Sequence, residues 1–276
     1  MMRPDRTQLA AFQSVAVEAA RRGAAELERW RTRFSVKEKG RADLVTDADH
    51  ASQQVVKETL LGAFPDHLFL GEEEAVGKPI EETRPAATAP PVWVVDPLDG
   101  TANYVHDIPA YCVSIGLWAG GQPVVGVIYD PRMNELFRAA TGLGAFMNDT
   151  PLRVSSVARL ADAMIATGFS ANLAKQRVNY AAWGQVMEHA QSIRRTGSTA
   201  LNLAYVAAGR FDGYWAYDNY AWDVMAGVVL IAEAGGHLST ADGQPFDPFR
   251  PDILATNGHF HAELLSVLNG KSCTTG

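Results

Sequence analysis

The chain has 276 residues, of which 47% are hydrophobic, and a formal net charge of −7 at pH 7. This length provides one large domain or two closely packed ones, and no apolar run reaches the roughly 18 residues of a membrane span. The acidic balance argues against a broad basic surface for nucleic acid, so we do not expect nucleic acid as a partner. Since no membrane span is predicted, we do not expect a membrane as a partner either. The charge of an anionic ligand would have to be neutralised by local positive charge, for which metal ions are the obvious source.

The first residues of the chain and its cysteines indicate where in the cell the protein is expected. The first six residues are polar and lack the apolar core of a signal peptide, so we expect the protein to be cytoplasmic. The only two cysteines, Cys112 and Cys273, lie far apart and predict neither a disulfide framework nor a thiolate metal site. We expect a buried thiol at Cys112 and a tail thiol at Cys273.

The first part of the chain predicts two helices followed by short strands. Apolar residues recur at helical spacing over residues 7–30, and a second helix is predicted over residues 47–62. The Pro-, Ala- and Glu-rich stretch 77–91 is predicted to be a surface loop. Predicted strands then cover residues 92–95, 112–118, 123–129 and 135–139, with a hairpin at 119–121 and a further sheet segment at 142–144.

The pattern changes after about residue 154. Strands are predicted at residues 163–167, 211–215 and 253–256, and helices at 174–191, 199–208, 222–234 and 262–268. The helix over 222–234 is apolar all round and is therefore expected to be buried. This mixture predicts an α+β protein with an N-terminal α+β half, residues 1–155, and a C-terminal α/β half, residues 156–276.

Acidic residues stand where three apolar segments begin or end. The first group is Glu72 to Glu74, after the apolar residues 68–70, and the second is Asp96 and Asp99, after the strand at 92–95. The third is Asp223, at the start of the apolar helix. Ionised carboxylates so close to core segments are costly unless a positive charge compensates them, and hard divalent cations prefer oxygen ligands.

The segment from Asp96 to Thr101 has features of a metal and phosphate site. Pro97 restricts Asp96 to extended geometry, which lets the turn aim both carboxylates and the Leu98 carbonyl at one point. Gly100 allows close approach of the backbone, and a helix opening at Thr101 would offer free N–H groups to phosphate.

Each group also has an ordinary explanation. Residues 96–100 could form a common Asp- and Gly-rich turn, Asp223 could cap its helix, and Glu72 to Glu74 could be a solvated charged run. Thr46 with Asp49 fits a capping box. These explanations do not account for the whole set.

Taken together, the motifs resemble the inositol monophosphatase family. The matching stretches are Asp43-Leu44-Val45-Thr46 with Asp49, Gly71-Glu72-Glu73, the run from Trp93 to His106 containing Asp96-Pro97-Leu98-Asp99-Gly100-Thr101, and Trp222-Asp223 followed by Glu233-Ala234-Gly235-Gly236. Their order and spacing match from about residue 10 to residue 268. The resemblance implies an alternating five-layer αβαβα sandwich, a homodimer, a small phosphorylated substrate, and lithium-sensitive, Mg²⁺-dependent hydrolysis of inositol monophosphate.

The resemblance also implies a role for each residue. The first Mg²⁺ would be held by Glu72, Asp96 and the Leu98 carbonyl, the second by Asp96, Asp99 and Asp223, and a weak third by Glu72, with Glu73 supporting Glu72 from behind. Most of these ligands belong to the N-terminal half, and Asp223 to the C-terminal half. The substrate would contact Leu98, Asp99, Gly100, Thr101, Gly197, Ser198, Thr199 and Asp223. Glu72 and Thr101, with Asp49 hydrogen-bonded to Thr101, would orient and deprotonate a water for in-line attack on phosphorus.

The match weakens at the end of the site that would hold the alcohol. The family typically places a Glu seven residues before the Trp-Asp aspartate and often a His or Arg three residues before it, where this chain has Ala216 and Tyr220. Asp218 could replace the acidic contact, and the aromatic rings of residues 214–220 could offer stacking faces or pack in a core or dimer interface. Histidinol-phosphate, fructose-1,6-bisphosphate and phosphoadenosine-phosphate phosphatases of the wider family remain alternatives, as does a non-catalytic binding protein.

Overall fold

The computed structural model describes residues 3–40, 43–75, 77–86, 88–169 and 173–270. Cys273, the predicted tail thiol, lies outside the described residues. Its helices are α1 (Arg6–Trp30), α2 (Asp47–Ala63), α3 (Glu72–Ala75), α4 (Thr101–Val105), α5 (Leu173–Met187), α6 (Thr199–Ala207), α7 (Ala221–Glu233) and α8 (His261–Leu268), with 3₁₀ turns at Ile80–Thr83 and Leu160–Asp162. Its strands are β1 (Val36–Gly40), β2 (Asp43–Thr46), β3 (Leu68–Gly71), β4 (Val92–Asp99), β5 (Cys112–Ala119), β6 (Gln122–Asp130), β7 (Glu135–Ala140), β8 (Gly144–Met147), β9 (Thr150–Pro151), β10 (Met164–Thr167), β11 (Ser192–Arg194), β12 (Gly213–Ala216), β13 (His237–Ser239) and β14 (Ile253–Thr256).

The long first helix begins at a reciprocal cap. Asp5 accepts the backbone N–H of Gln8 at 2.8 Å, and the Gln8 side chain accepts the backbone N–H of Asp5 at 2.9 Å. One face of α1 then buries residues such as Leu9, Phe12 and Leu27 against a sheet. The helical spacing predicted from the sequence is confirmed.

Two sheets form the body of the fold. The first has the order β3-β4-β5-β6-β7-β8-β9 and is antiparallel except for the parallel pair β3–β4. The second has the order β11-β10-β12-β14-β13, with β10 parallel to both β11 and β12.

The layers alternate as the α+β prediction requires. Helices α1 and α2 cover one face of the first sheet, and α6 and α7 lie between the two sheets. Helices α5 and α8 cover the outer face of the second sheet, so Tyr214 and Trp215, neighbours on β12, belong to two different cores. The predicted five-layer αβαβα sandwich is confirmed.

Helix α7 lies very close to the first sheet. A Cβ on Gly126 of β6 would be 2.2 Å from the Ala226 carbonyl oxygen, so only glycine permits this approach. Helix α7, from the predicted C-terminal half, therefore packs directly on β6, from the predicted N-terminal half. The same helix places Asp223 near the end of β4. The division at residue 155 stays a prediction.

The structure differs from the predicted elements at several places. Strand β4, predicted to stop at Val95, continues to Asp99 with a register irregularity between Asp96 and Asp99. The hairpin β1–β2 and the short strands β11 and β13 were not predicted, because a charged run such as Val36–Gly40 and three-residue strands lack a clear alternation. Within the described ranges, no helix is both long enough and apolar enough to cross a bilayer.

Candidate active site

The irregular end of β4 positions the central acids. β4 pairs with β5 from Val92↔Trp118 to Asp96↔Ser114, and pairing resumes only at Asp99↔Cys112. In the gap, the Leu98 backbone N–H donates to Asp96 Oδ1 at 3.0 Å, and both aspartates are buried. The predicted Asp-Pro turn is thus a bulge within a strand, which bends the chain where the carboxylates emerge.

Gly100 completes this bend. Its φ is +95°, and a Cβ there would lie 2.7 Å from the Ala110 carbonyl oxygen. The left-handed residue leads directly into α4, which begins at Thr101 as predicted. Backbone strain and crowding would both oppose any larger residue at this position.

Four carboxylates lie within electrostatic reach of one another. Burial is the main cause that raises the pKa of Asp96 well above its usual range, and the charges of Glu72, Asp99 and Asp223 raise it further. Burial likewise raises the pKa of Asp223, with added contributions from Asp99 and Glu72. The acids that the sequence analysis grouped therefore do converge, although they come from β4, α3 and α7.

The electrostatic environment fits a divalent cation. All the charges that act most strongly on the pKa of Asp96 and Asp223 are negative, so these buried acids need a positive partner. Within the part of the chain that the structure describes, no three His, Cys, Asp or Glu side chains enclose an ion by themselves. Mg²⁺ does not need such a cage, because it commonly uses one or two carboxylates together with water and substrate phosphate.

Asp99 is held by the N-terminus of α6. The Ser198 hydroxyl and the Ala200 backbone N–H both donate to its Oδ2 at 2.6 Å, and the Thr199 N–H donates to Oδ1 at 3.3 Å. These bonds favour the ionised carboxylate, but burial outweighs them and raises the pKa of Asp99. Ser198 and Thr199 thus lie directly beside Asp99, and the predicted contact of the segment Gly197 to Thr199 with the substrate stays a prediction.

Asn103 joins this segment to α4. Its Nδ2 donates to the Thr196 carbonyl at 2.9 Å and to the Ala110 carbonyl at 2.7 Å. Gly197 has φ +95°, and a Cβ there would lie 2.8 Å from the same nitrogen. Asn103 lay inside the matched motif, but the sequence analysis gave it no role.

Thr101 and Asp49 meet at the other side of the acids. The Thr101 hydroxyl oxygen is 3.0 Å from the Leu98 carbonyl and 3.4 Å from Asp49 Oδ1, so its single proton favours Leu98. Burial raises the pKa of Asp49 to about 7, against the lowering effect of the Thr46 hydroxyl at 2.6 Å. The capping box predicted for Thr46 and Asp49 is present, so Asp49 both caps α2 and faces the site.

Glu72 and Glu73 begin α3 and are half-buried, whereas Glu74 is exposed and pairs with Lys57 at 2.6 Å. The Glu73 backbone N–H donates to Gln53 Oε1 at 3.1 Å, which fixes the start of α3 against α2. A solvated charged run therefore describes only Glu74.

Asp223 is also a helix cap. Its Oδ2 accepts the backbone N–H of Tyr220 at 2.6 Å at the start of α7. The capping explanation is correct for this oxygen, yet the carboxyl still lies in the field of Asp99 and Glu72.

Two further side chains near the acids were not predicted. The Cys112 thiol, confirmed as buried, lies 3.9 Å from Asp99 Oδ2. The Tyr214 hydroxyl is 3.0 Å from the Thr199 hydroxyl. Only strand register and helix docking bring these pairs together, and neither leaves a signal in the sequence pattern.

The predicted aromatic segment is divided between core and surface. Trp215 is fully buried and donates through Nε1 to Asn179 Oδ1 at 2.6 Å, which confirms a core role for this ring. Tyr220 is partly exposed and stacks on Trp222 with ring centroids 4.7 Å apart. Ala216 is buried, and Asp218 has a left-handed φ of +64°.

Comparisons with known proteins show what the whole chain is similar to. Residues 8–272 match the model of the inositol monophosphatase family. The chain is 41% identical to an inositol-1-monophosphatase from Synechocystis sp. over 265 residues, which cover 95% of this chain and 90% of that protein. It is similar in structure to the extragenic suppressor protein SuhB from Bartonella henselae, with a TM-score of 0.85, 38% identity, and coverage of 94% of this chain and 98% of that one. An inositol monophosphatase from Anabaena gives a TM-score of 0.81 at 40% identity, with 96% of this chain and 98% of that chain covered.

Proposed function

Since the chain belongs to the inositol monophosphatase family, we propose that it hydrolyses inositol monophosphate in a Mg²⁺-dependent reaction. Membership of this family makes it a phosphatase that acts on phosphate monoesters. The observation that carries the proposal is the shared electrostatic field of four acids beside Gly100 and Thr101. The acids are Glu72, Asp96, Asp99 and Asp223.

We propose that these acids hold two or three Mg²⁺ ions. Glu72, Asp96 and the Leu98 carbonyl would hold the first, Asp96, Asp99 and Asp223 the second, and Glu72 a weak third. When bound, Mg²⁺ makes a water more acidic and neutralises charge on the phosphoryl and leaving oxygens. Glu73 would support Glu72 from α3.

Two side chains of the chain itself would supply a path for the proton of the attacking water. The Thr101 hydroxyl would turn from the Leu98 carbonyl, its nearer acceptor at 3.0 Å, to Asp49 Oδ1 at 3.4 Å. It would then accept the proton of the water as it passes its own to Asp49. Burial raises the pKa of Asp49, which favours the uptake of a proton by this carboxyl group. Glu72 would orient the same water, and the phosphate would rest on the backbone and hydroxyl of Gly100 and Thr101. The new P–O bond would form as the bond to the alcohol oxygen breaks, and the leaving alkoxide would take up a proton from solvent water.

The alcohol would lie against α6 and the loop before α7. The half-buried Thr199 would present a hydroxyl there, and the exposed Tyr220, which stacks on Trp222, would present aromatic surface. This aromatic surface is the observation that favours histidinol phosphate as the second candidate substrate, because an imidazole ring can stack on it.

A substrate panel tests the proposal. Phosphate release is measured from inositol monophosphate, histidinol phosphate, fructose 1,6-bisphosphate and phosphoadenosine phosphate, each with Mg²⁺ and with chelator. We expect release that requires metal and is fastest with inositol monophosphate. Release in chelator would contradict the role of the acids, and preference for another compound would name a different substrate.

Family membership supports three finer proposals. We propose inhibition by Li⁺ through the position of the second ion, assembly as a homodimer, and a cytoplasmic location. A Li⁺ titration of phosphate release tests the inhibition, and the molecular mass in solution tests the dimer. Cell fractionation tests the location.

A further inference from the structure

A second concave region lies on the outer helical layer. It is a polar groove of about 500 Å³ between the solvent side of α1 and the turns that flank β7 and β8. Gln13, Ser14 and Arg21 line it from α1, and Arg138, Asn148 and Asp149 line it from the sheet. None of the acids of the candidate active site lines this groove.

The shape of the groove follows from the two elements that form it. Gln13, Val17 and Arg21 recur every four residues and therefore share one face of α1, while Ala10 and Ser14 beside them are small. Asn134 and Asn148, on the opposite wall, have left-handed φ values of +52°, which make tight turns at both ends of the neighbouring strands. A space thus remains between helix and sheet.

One buried donor in this space has no partner. Arg138 Nη1 donates to Gln13 Oε1 at 3.4 Å, which fixes the orientation of the amide because Nε2 could not accept that bond. Gln13 Nε2 is buried and has no hydrogen-bond partner among the described residues. An unsatisfied buried donor is unusual and suggests a missing acceptor.

The groove is also locally positive in an acidic protein. Arg138 is fixed over the Phe146 ring at 4.7 Å, and its nearest carboxylate, that of the exposed Asp149, is 3.9 Å away. In the described part of the chain, Arg21 makes no hydrogen bond or ion pair. Two guanidinium groups and one amide donor therefore lie in one groove with a single, solvated acid.

We propose that this groove binds a phosphate group, either as free phosphate or as part of a small monoester. Guanidinium forks match phosphate oxygens, and the Gln13 amide supplies a third donor to a tetrahedral anion. Because the proposed reaction releases inorganic phosphate, that ion is the first probe. The site does not depend on the catalytic proposal, since it shares no residue with the acids.

The test measures the thermal midpoint of the full chain in chelator against the concentration of inorganic phosphate. Without metal, the four acids of the candidate active site repel anions. Any phosphate binding in chelator is therefore assigned to the groove. We expect a saturable rise in the wild type and about a tenfold weaker apparent affinity in Arg21→Met, from the loss of one charge-assisted contact. Arg177→Met on α5, an exposed arginine outside the groove, should behave as wild type.

Gln13→Glu provides a variant that preserves the fold. Its carboxylate would pair with Arg138, so the midpoint without phosphate should equal or exceed that of the wild type, while the phosphate response disappears. Glycerol 3-phosphate in place of phosphate distinguishes an ester from the free ion, and equal ionic strength of NaCl controls for screening. A phosphate response that persists in Gln13→Glu and Arg21→Met, or no response of the wild type to either phosphate compound, would overturn the proposal.

Discussion

Ser198 donates its hydroxyl proton to Asp99 across 2.6 Å, although the two residues are 99 positions apart in the chain. The same oxygen accepts the Leu201 backbone N–H at 3.2 Å and so caps α6. One hydroxyl thus joins the second half of the chain to a carboxylate at the end of β4. The orientation of Asp99 therefore depends on where α6 begins.

Ser198→Ala should impair both activity and stability. Loss of a bond that orients a metal ligand typically costs about 10–100-fold in activity or metal affinity. Loss of the cap should lower the free energy of unfolding by about 1–2 kcal/mol. The Mg²⁺ concentration for half-maximal phosphate release and a denaturant titration measure these effects. Ser198→Thr retains the hydroxyl and should recover most of both, whereas unchanged Mg²⁺ dependence in Ser198→Ala would contradict the role of Asp99.

Asp96→Asn should abolish turnover and leave the fold intact. Because burial and three neighbouring carboxylates raise the pKa of Asp96 in the folded state, this acid lowers the stability of the metal-free protein at neutral pH. The amide removes that charge, so the thermal midpoint in chelator should rise, and the increase on adding Mg²⁺ should shrink. Phosphate release and melting curves with and without Mg²⁺ provide the measurement. Asp66→Asn, at an exposed position, is the matched control. Full activity of Asp96→Asn would refute the proposed metal site.

Much of the candidate site could be predicted because its acids stand at the ends of regular elements. Glu72 follows β3, Asp96 lies on β4, and Asp223 begins α7, so each is marked by a change in apolar pattern. The structure brings these groups within electrostatic reach of one another. Their role as metal ligands stays a prediction.

What the sequence did not reveal depends on tertiary contacts. Cys112 reaches Asp99 through the resumed register of β4 and β5, and Tyr214 reaches Thr199 because β12 passes beside α6. No periodic pattern in the sequence signals either contact. In the fold, the long amphipathic helix α1 was predicted closely, whereas β11, with three residues, carries too few positions for an alternation to be read.

Tyr220→Ala tests the aromatic surface beside the site. The stacked ring of Trp222 loses its partner, but the backbone N–H of residue 220 still donates to the Asp223 carboxylate, so the acids should keep their positions. We expect the KM of the preferred substrate to rise roughly tenfold, close to the value of one aromatic contact, and kcat to stay within about threefold. Tyr220→Phe keeps the ring and should resemble the wild type. A fall in kcat with unchanged KM would mean that Tyr220 acts on Asp223 and not on the substrate.

His261 should make the stability of the fold depend on pH. Its ring lies between the hydroxyls of Ser239 and Thr256, each 2.9 Å from a ring nitrogen, and faces His237 at 4.3 Å between centroids. Burial, with a smaller contribution from His237, lowers the pKa of His261 to about 4. In the unfolded chain, His261 therefore binds a proton below about pH 6.5, whereas in the folded protein it does so only below about pH 4. The free energy of unfolding should fall as the pH drops through this window.

The buried carboxylates act in the opposite direction, because their raised pKa values favour the folded state as the pH falls. The contribution of His261 is therefore measured by comparing the wild type with His261→Asn. Denaturant titrations of both proteins at pH 7 and pH 5 give the change in the free energy of unfolding for each. The loss of stability from pH 7 to pH 5 should be about 1 kcal/mol smaller in the variant, after allowance for partial solvent screening. The exposed His106→Asn should keep the wild-type slope. Equal slopes for wild type and His261→Asn would show that folding does not lower the pKa of His261.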